Sequence, residues 1–214
     1  MRRIIRPLIL SLVRCCYRLK MRGREHIPRR GAALVVCNHV SYMDALVLGG
    51  ACPRPLRFVM DRPIFDAPGL KWLFCLVGAI PIESEKRDPG ALRRTLADIS
   101  TALENGEVVM VFPEGRLTTD GEVHTFRRGL ETILARNTVP VVPAGLAGLW
   151  GSWTSHRGGR ALSKRPSRFR ARVSLHFGAP VDPQAVQNEA LSRYFEARVR
   201  VLKAAADEDI RRCD

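Results

Sequence analysis

The apolar positions change their period several times along the chain, and each change marks an element. Over residues 4–20, Ile5, Leu8, Ile9, Leu12, Cys16 and Leu19 fall on one arc at about 100° per residue. Arg3, Arg6, Arg14 and Arg18 fall opposite them, and Pro7 suits a first turn. This predicts a basic amphipathic helix. It rests either on an anionic headgroup layer or against the rest of the fold with its arginines solvated.

After Gly23 the pattern shortens. Ala32 to Cys37 is a continuous apolar run, suited to a strand buried on both faces. Further strands are predicted at Leu56–Met60, Ala79–Ile82, Val108–Phe112, Val139–Ala144 and Arg172–Phe177, the last by alternation. Helices are predicted from Ala45 to Leu48, at Trp72–Val77, Phe126–Arg136 and 184–206, and at Asp88–Leu103, with Asp88 as cap and Asn105-Gly106 as stop. Strands alternating with helices give a single α/β domain with a mostly buried mixed sheet flanked by helices. The expected division is an N-terminal helix over residues 1–21 and the main domain over 22–214.

Composition narrows the partners. In 214 residues, 35 Lys and Arg stand against 21 Asp and Glu, a formal charge of +14. Such a surface attracts nucleic acid, anionic lipid or phosphorylated small molecules. Hydrophobic residues make up 46%, which argues against disorder. No run approaches the roughly 20 apolar residues of a bilayer-spanning helix, and Pro7 to Val13 is too short for a signal peptide. The six cysteines form no C-x-x-C pair and sit mainly in apolar runs, so they read as buried hydrophobes rather than metal ligands.

Two segments carry candidate chemistry. Asn38-His39-Val40-Ser41-Tyr42-Met43-Asp44 follows a buried strand, where α/β domains place their sites. His39 is a candidate general base, with Asp44 across a tight turn to orient its imidazole. No G-x-S-x-G elbow is present, so the substrate is expected to bring its own hydroxyl. Phe112-Pro113-Glu114-Gly115-Arg116 follows a second strand. There Gly115 permits close backbone approach, Arg116 offers a fork for phosphate, and Glu114 can orient it or bind a hydroxyl. Arg127 and Arg128 add cations downstream. His26, His156 and His176 read as structural or solvated, His124 lies near Glu122, and Trp150 and Trp153 read as packing residues.

Together these segments resemble the glycerolipid acyltransferases of the lysophosphatidic acid type, marked by N-H-x-x-x-x-D, a block near G-x-x-F-I-D-R, F-P-E-G, and a proline-bearing strand. Asn38 to Asp44 and Phe112 to Gly115 match, and Val139-Pro140-Val141-Val142-Pro143 resembles the last. The second block departs: Gly78 to Ser84 has Ser84 in the arginine's place, with Lys86 or Arg87 as substitutes. The form F-P-E-G-R is similar to that of members reacylating lysophosphatidylethanolamine.

The resemblance implies transfer of an acyl group from acyl-CoA or acyl carrier protein to a lysophospholipid hydroxyl. His39 and Asp44 would be catalytic, and Asn38, Glu114, Gly115, Arg116 and Arg128 would bind substrate. No metal or other cofactor is expected. The protein would sit peripherally on the cytoplasmic face of an anionic membrane. Three rival readings are a lyso-ornithine-lipid acyltransferase, a silent lipid-binding module and a basic nucleic-acid-binding protein. Sparse aromatics, 7% of residues, count against the last.

Overall fold

The computed structural model describes residues 2–83, 90–163, 165, 170–186 and 190–212, with side chains from residue 7 onward. Asp88 and Pro89, Ser84, Lys86 and Arg87 lie outside the described residues, as do part of the basic stretch 156–170 and Cys213.

The chain opens with α1 (Arg2–Cys16), followed without a break by β1 (Tyr17–Arg22). Then come β2 (Ala33–Cys37), α2 (Asp44–Ala51), β3 (Leu56–Asp61), the short α3 (Arg62–Phe65), α4 (Lys71–Val77) and β4 (Ile80–Ile82). The rest is α5 (Ala91–Glu104), β5 (Val108–Val111), α6 (Gly129–Arg136), β6 (Val141–Ala147), β7 (Ala171–Phe177) and α7 (Leu191–Arg211). Seven strands form one sheet in the order β1-β7-β6-β2-β5-β3-β4. Pairing is parallel except between β6 and β7, so the sheet is mixed.

One expectation is corrected at the start. The N-terminal helix ends at Cys16, not near residue 21, and residues 17–22 are an edge strand of the sheet. Tyr17, Leu19 and Met21 alternate with Arg18, Lys20 and Arg22, a strand pattern that the preceding helical arc runs into. Leu19 therefore belongs to the sheet, and residues 1–21 are not a separate unit. Two helices also start later than expected. Phe126 to Arg128 are drawn into the site loop, and α7 begins at Leu191.

Alternation along β2 explains the layers. Ala33, Val35 and Cys37 enter a core beneath α1 and α2, with Val13, Val47 and Leu48. Leu34 and Val36 enter the opposite core beneath α5, α6 and α7, with Ile99, Ile133, Phe195 and Val199. All five residues of β2 are buried, which accounts for its unbroken apolar run. Against β6, α7 packs backbone to strand: a Cβ on Gly145 would lie 2.2 Å from the Lys203 nitrogen. Only glycine permits that approach.

Strands β2 to β6 run in one direction, so their C-terminal ends share one edge. The loops after β2, β5 and β6 gather there, the usual place for a site in an α/β sheet.

Candidate active site

The loop after β2 is built around one carboxylate. Asp44 is fully buried, and its Oδ2 accepts from Val40 N at 2.7 Å, Ser41 N at 2.9 Å and His39 Nδ1 at 2.9 Å. Two backbone donors fix Asp44, and Asp44 fixes the imidazole. With Nδ1–H committed to the carboxylate, Nε2 keeps its lone pair and can take a proton. The His39 side chain is 17% exposed, so part of it reaches solvent. Its ring stacks on Phe112, centroids 3.9 Å apart and 12° from parallel.

The two sequence segments meet here. Glu114 Oε1 accepts from His39 N at 2.8 Å, and His39 O accepts from Thr118 N at 2.9 Å. The other carboxylate oxygen of Glu114 accepts from His124 N at 3.0 Å. Glu114 is 3% exposed, and burial raises its pKa against the opposing pull of those two N–H donors. It therefore braces both loops, a role different from holding an arginine or a hydroxyl.

Gly115 sits at φ +68°, and a Cβ there would come within 2.8 Å of Arg127 Nε. Arg127 Nε donates to Glu114 O at 3.0 Å, so this guanidinium lies over the Glu114-Gly115 turn. Arg116 is exposed and makes no hydrogen bond among the described residues. Arg128 is exposed at the start of α6. Of the two downstream cations, Arg127 is thus the one placed on the turn.

Asn38 was expected at the substrate. Its amide instead lies inside the sheet, 1% exposed, donating to Leu146 O at 2.9 Å and accepting from Leu146 N at 2.8 Å. It clamps β2 to β6 just before His39. A second brace comes from the loop after β6: Ser41 Oγ lies 2.6 Å from Thr154 Oγ1, and Tyr42 N donates to Thr154 O.

His26 and His176 are structural, as the sequence reading allowed, but the partners of the histidines other than His39 were not visible from spacing. His124 pairs with Asp120 at 3.1 Å rather than with Glu122, and Thr118 Oγ1 is also 3.1 Å away. His176, expected to have no acidic partner, donates Nε2–H to Asp209 at 2.8 Å. His26 is held by Phe177 O. Burial pushes the Cys37 thiol well up, so it stays protonated and is no nucleophile. Phe112 as the ring beneath His39, and Arg127 over the turn, escaped the sequence reading. The adjacency of Phe112 to the F-P-E-G segment was the available signal.

Comparison with known proteins places this geometry. The profile of the family described as Acyltransferase matches residues 18–147, which contain His39, Asp44 and the Glu114 turn. The chloroplast 1-acyl-sn-glycerol-3-phosphate acyltransferase LPAT1 of Arabidopsis thaliana is 30% identical over 131 residues, 61% of this chain and 36% of that one. The 1-acyl-sn-glycerol-3-phosphate acyltransferase of Bacillus subtilis is 24% identical over 198 residues, 89% of this chain and 90% of that one. This chain thus spans about a third of the plant relative and most of the bacterial one. The crystal structure of the lysophosphatidic acid acyltransferase PlsC from Thermotoga maritima superposes with a TM-score of 0.74 and 26% identity, over 97% of this chain and 80% of that one. The seven-stranded mixed sheet is similar to that fold, and the chain belongs to the acyltransferase family.

Proposed function

We propose that this protein transfers a fatty acyl group from a thioester donor to the free glycerol hydroxyl of 1-acylglycerol-3-phosphate, at the surface of an anionic membrane. The observation that carries the reading is the His39–Asp44 pair fastened through Glu114 to the Gly115-Arg116 turn. That arrangement ties an oriented imidazole to the turn that carries the exposed Arg116. Relatives named for this acceptor support it.

In the proposed reaction, His39 Nε2 takes the acceptor hydroxyl proton as its oxygen attacks the thioester carbonyl. Asp44 stabilises the imidazolium through Nδ1–H. The tetrahedral intermediate collapses, the C–S bond breaks, and the departing thiolate takes the proton back from His39. General-base help of this kind is worth about 10²- to 10⁴-fold. Arg116, exposed beside Gly115, offers the acceptor phosphate a bidentate partner. Arg127, already bound to Glu114 O, holds the turn in shape.

Helix α1 supports the membrane reading. Leu8 is 66% and Leu12 57% exposed, while Val13 is 1% exposed and packs inward. Leu8 and Leu12, two members of the apolar arc, thus face outward, as in an interfacial helix. Among the described residues no helix is long and apolar enough to cross a membrane.

The test incubates purified protein with acyl-CoA or acyl carrier protein and a panel of lysophospholipids, with products identified by mass spectrometry. Phosphatidic acid from 1-acylglycerol-3-phosphate is expected. A diacyl product from lysophosphatidylethanolamine alone would move the acceptor to that headgroup, and no product from any acceptor would remove the proposal.

A further inference from the structure

Outside the catalytic loops, a basic cavity of about 580 Å³ lies at the same edge of the sheet. Its walls are the starts of β1 and β7, the end of β6 and the last turns of α7. Five of its lining residues are arginines: Arg18, Arg157, Arg170, Arg172 and Arg211. The single acidic one, Asp207, is already bonded to Lys203 at 3.0 Å. Arg18 and Arg172 are register partners on adjacent parallel strands, so their side chains leave the sheet on the same face. Arg170 is held at φ +54°, a conformation side-chain-bearing residues rarely adopt, with its N–H on Cys16 O at 2.7 Å. Strain of this kind concentrates at ligand sites.

The cavity is joined to the catalytic loops. Its half-buried Trp150 lies against Gly121, where a Cβ would be 2.8 Å from the indole nitrogen. Gly121 N donates to Thr118 Oγ1, and Thr118 N holds His39 O. Strands β6, β7 and β1 stand one, two and three places from β2, so the cavity lies about 5 to 15 Å across the sheet from the base.

We infer that this cavity binds the phosphate-bearing nucleotide end of a coenzyme A thioester, with Trp150 as a flat wall for the base. The inference rests on the proposed acyl transfer for its donor. Its volume suits a small ligand rather than the convex face of an acidic carrier protein. Convergent guanidiniums are the chemistry that clamps phosphates, and a flexible arm from such a clamp could deliver a thioester to His39. A glycerophosphate headgroup shares the phosphate chemistry but has no ring to place on Trp150.

The test is calorimetric titration of coenzyme A into the whole protein, wild type and two variants. Arg170→Gly removes a cation and suits the left-handed backbone; Arg157→Ala with Arg211→Ala removes two exposed cations. Thermal melting confirms that each is folded. Loss of charged hydrogen bonds predicts a Kd for coenzyme A weaker by about tenfold in either variant. KM for acyl-CoA should rise in step, with kcat unchanged. Adenosine 3′,5′-bisphosphate should compete with coenzyme A, and glycerol 3-phosphate should not. The inference is overturned if wild type does not bind coenzyme A, if both variants bind it as wild type does, or if glycerol 3-phosphate displaces it. Arginine-dependent coenzyme A binding without product from any acceptor would uphold the cavity and remove the proposed reaction.

Discussion

Of the histidine–aspartate pairs among the described residues, the two with buried carboxylates stand at nearly equal distances and have opposite characters. His39 Nδ1 meets Asp44 at 2.9 Å, and His176 Nε2 meets Asp209 at 2.8 Å. Asp44 is otherwise held by neutral backbone N–H groups, so its charge is directed at one imidazole. Asp209 is shared: Arg22 reaches it through two nitrogens at 2.8 and 2.9 Å, and Lys20 at 2.9 Å. Two cations already answer that carboxylate, and they hold its pKa far below the usual carboxylate range. The free nitrogen also differs. His39 has no partner on Nε2 among the described residues and its side chain is 17% exposed, whereas His176 lies in β7 and fastens the sheet to the C-terminal turn of α7. A histidine–aspartate distance alone does not separate a base from a rivet; the carboxylate's other partners do.

The largest expected effect breaks the first pair. Asp44→Asn keeps the shape, because the Oδ1 side of this carboxylate has no hydrogen-bond partner among the described residues and can take the amide NH₂. The amide oxygen still accepts from the loop, but the negative charge that supports an imidazolium is gone. By analogy with other histidine–aspartate bases, kcat should fall about 10²- to 10⁴-fold, with His39→Ala at least as severe. His176→Gln, which retains a donor to Asp209, should leave kcat untouched. Steady-state thiol release measures all three. Equal losses in Asp44→Asn and His176→Gln would erase the distinction between the pairs.

The contrast also shows what the chain discloses on its own. The first pair is five residues apart in one loop, and the turn that joins them was legible as Asn38 to Asp44. Of the six legible strands, the fully buried ones stood out because two-faced burial forces continuous apolar runs, as in β2 and β5, while β7 showed by its alternation. The second pair was not legible. Its members are 33 residues apart and meet only because α7 lies across β6 and β7. For the same reason the sequence could suggest Glu114 as a ligand for substrate but not as the acceptor for His39 N, 75 residues away. Strand β1 was hidden by continuity, since its alternation begins at the residue where the helical arc stops.

A smaller effect is expected from the second pair, and on stability rather than turnover. Asp209→Asn leaves His176 with a weaker acceptor and two cations without a counter-charge. Arg22 and Lys20 are about half exposed and can rehydrate, so the loss should be about 1–3 kcal/mol. In a chain of this size that lowers Tm by roughly 2–12 °C. The pH dependence follows the same carboxylate. Its folded pKa is depressed, so its contribution is fully present above the unfolded value of about 3.9 and is lost as pH falls through the folded value. Wild type and Asp209→Asn should therefore differ most in urea midpoint at neutral pH and converge as the solution becomes strongly acidic. A difference that grew toward low pH would contradict the assignment.

The finest test concerns what lies beneath His39 rather than beside it. Phe112 stacks on this imidazole at 3.9 Å, and no ring pair of that kind is found for His176 among the described residues. A ring face is electron-rich, so it favours the cationic imidazole formed when His39 takes a proton and also limits rotation about its side-chain bonds. Phe112→Leu keeps an apolar group of similar reach and leaves the hydrogen bonds of Asp44 and Glu114 in place. The stack is worth about 0.5–1.5 kcal/mol, which predicts a kcat lower by about 2- to 13-fold. Because a ring rather than mere bulk carries the effect, Phe112→Tyr should keep kcat near that of wild type. An equal fall in kcat for Phe112→Tyr and Phe112→Leu would leave Phe112 a packing residue only. A loss confined to Phe112→Leu would make it the third partner that tells the proposed working pair from the structural one.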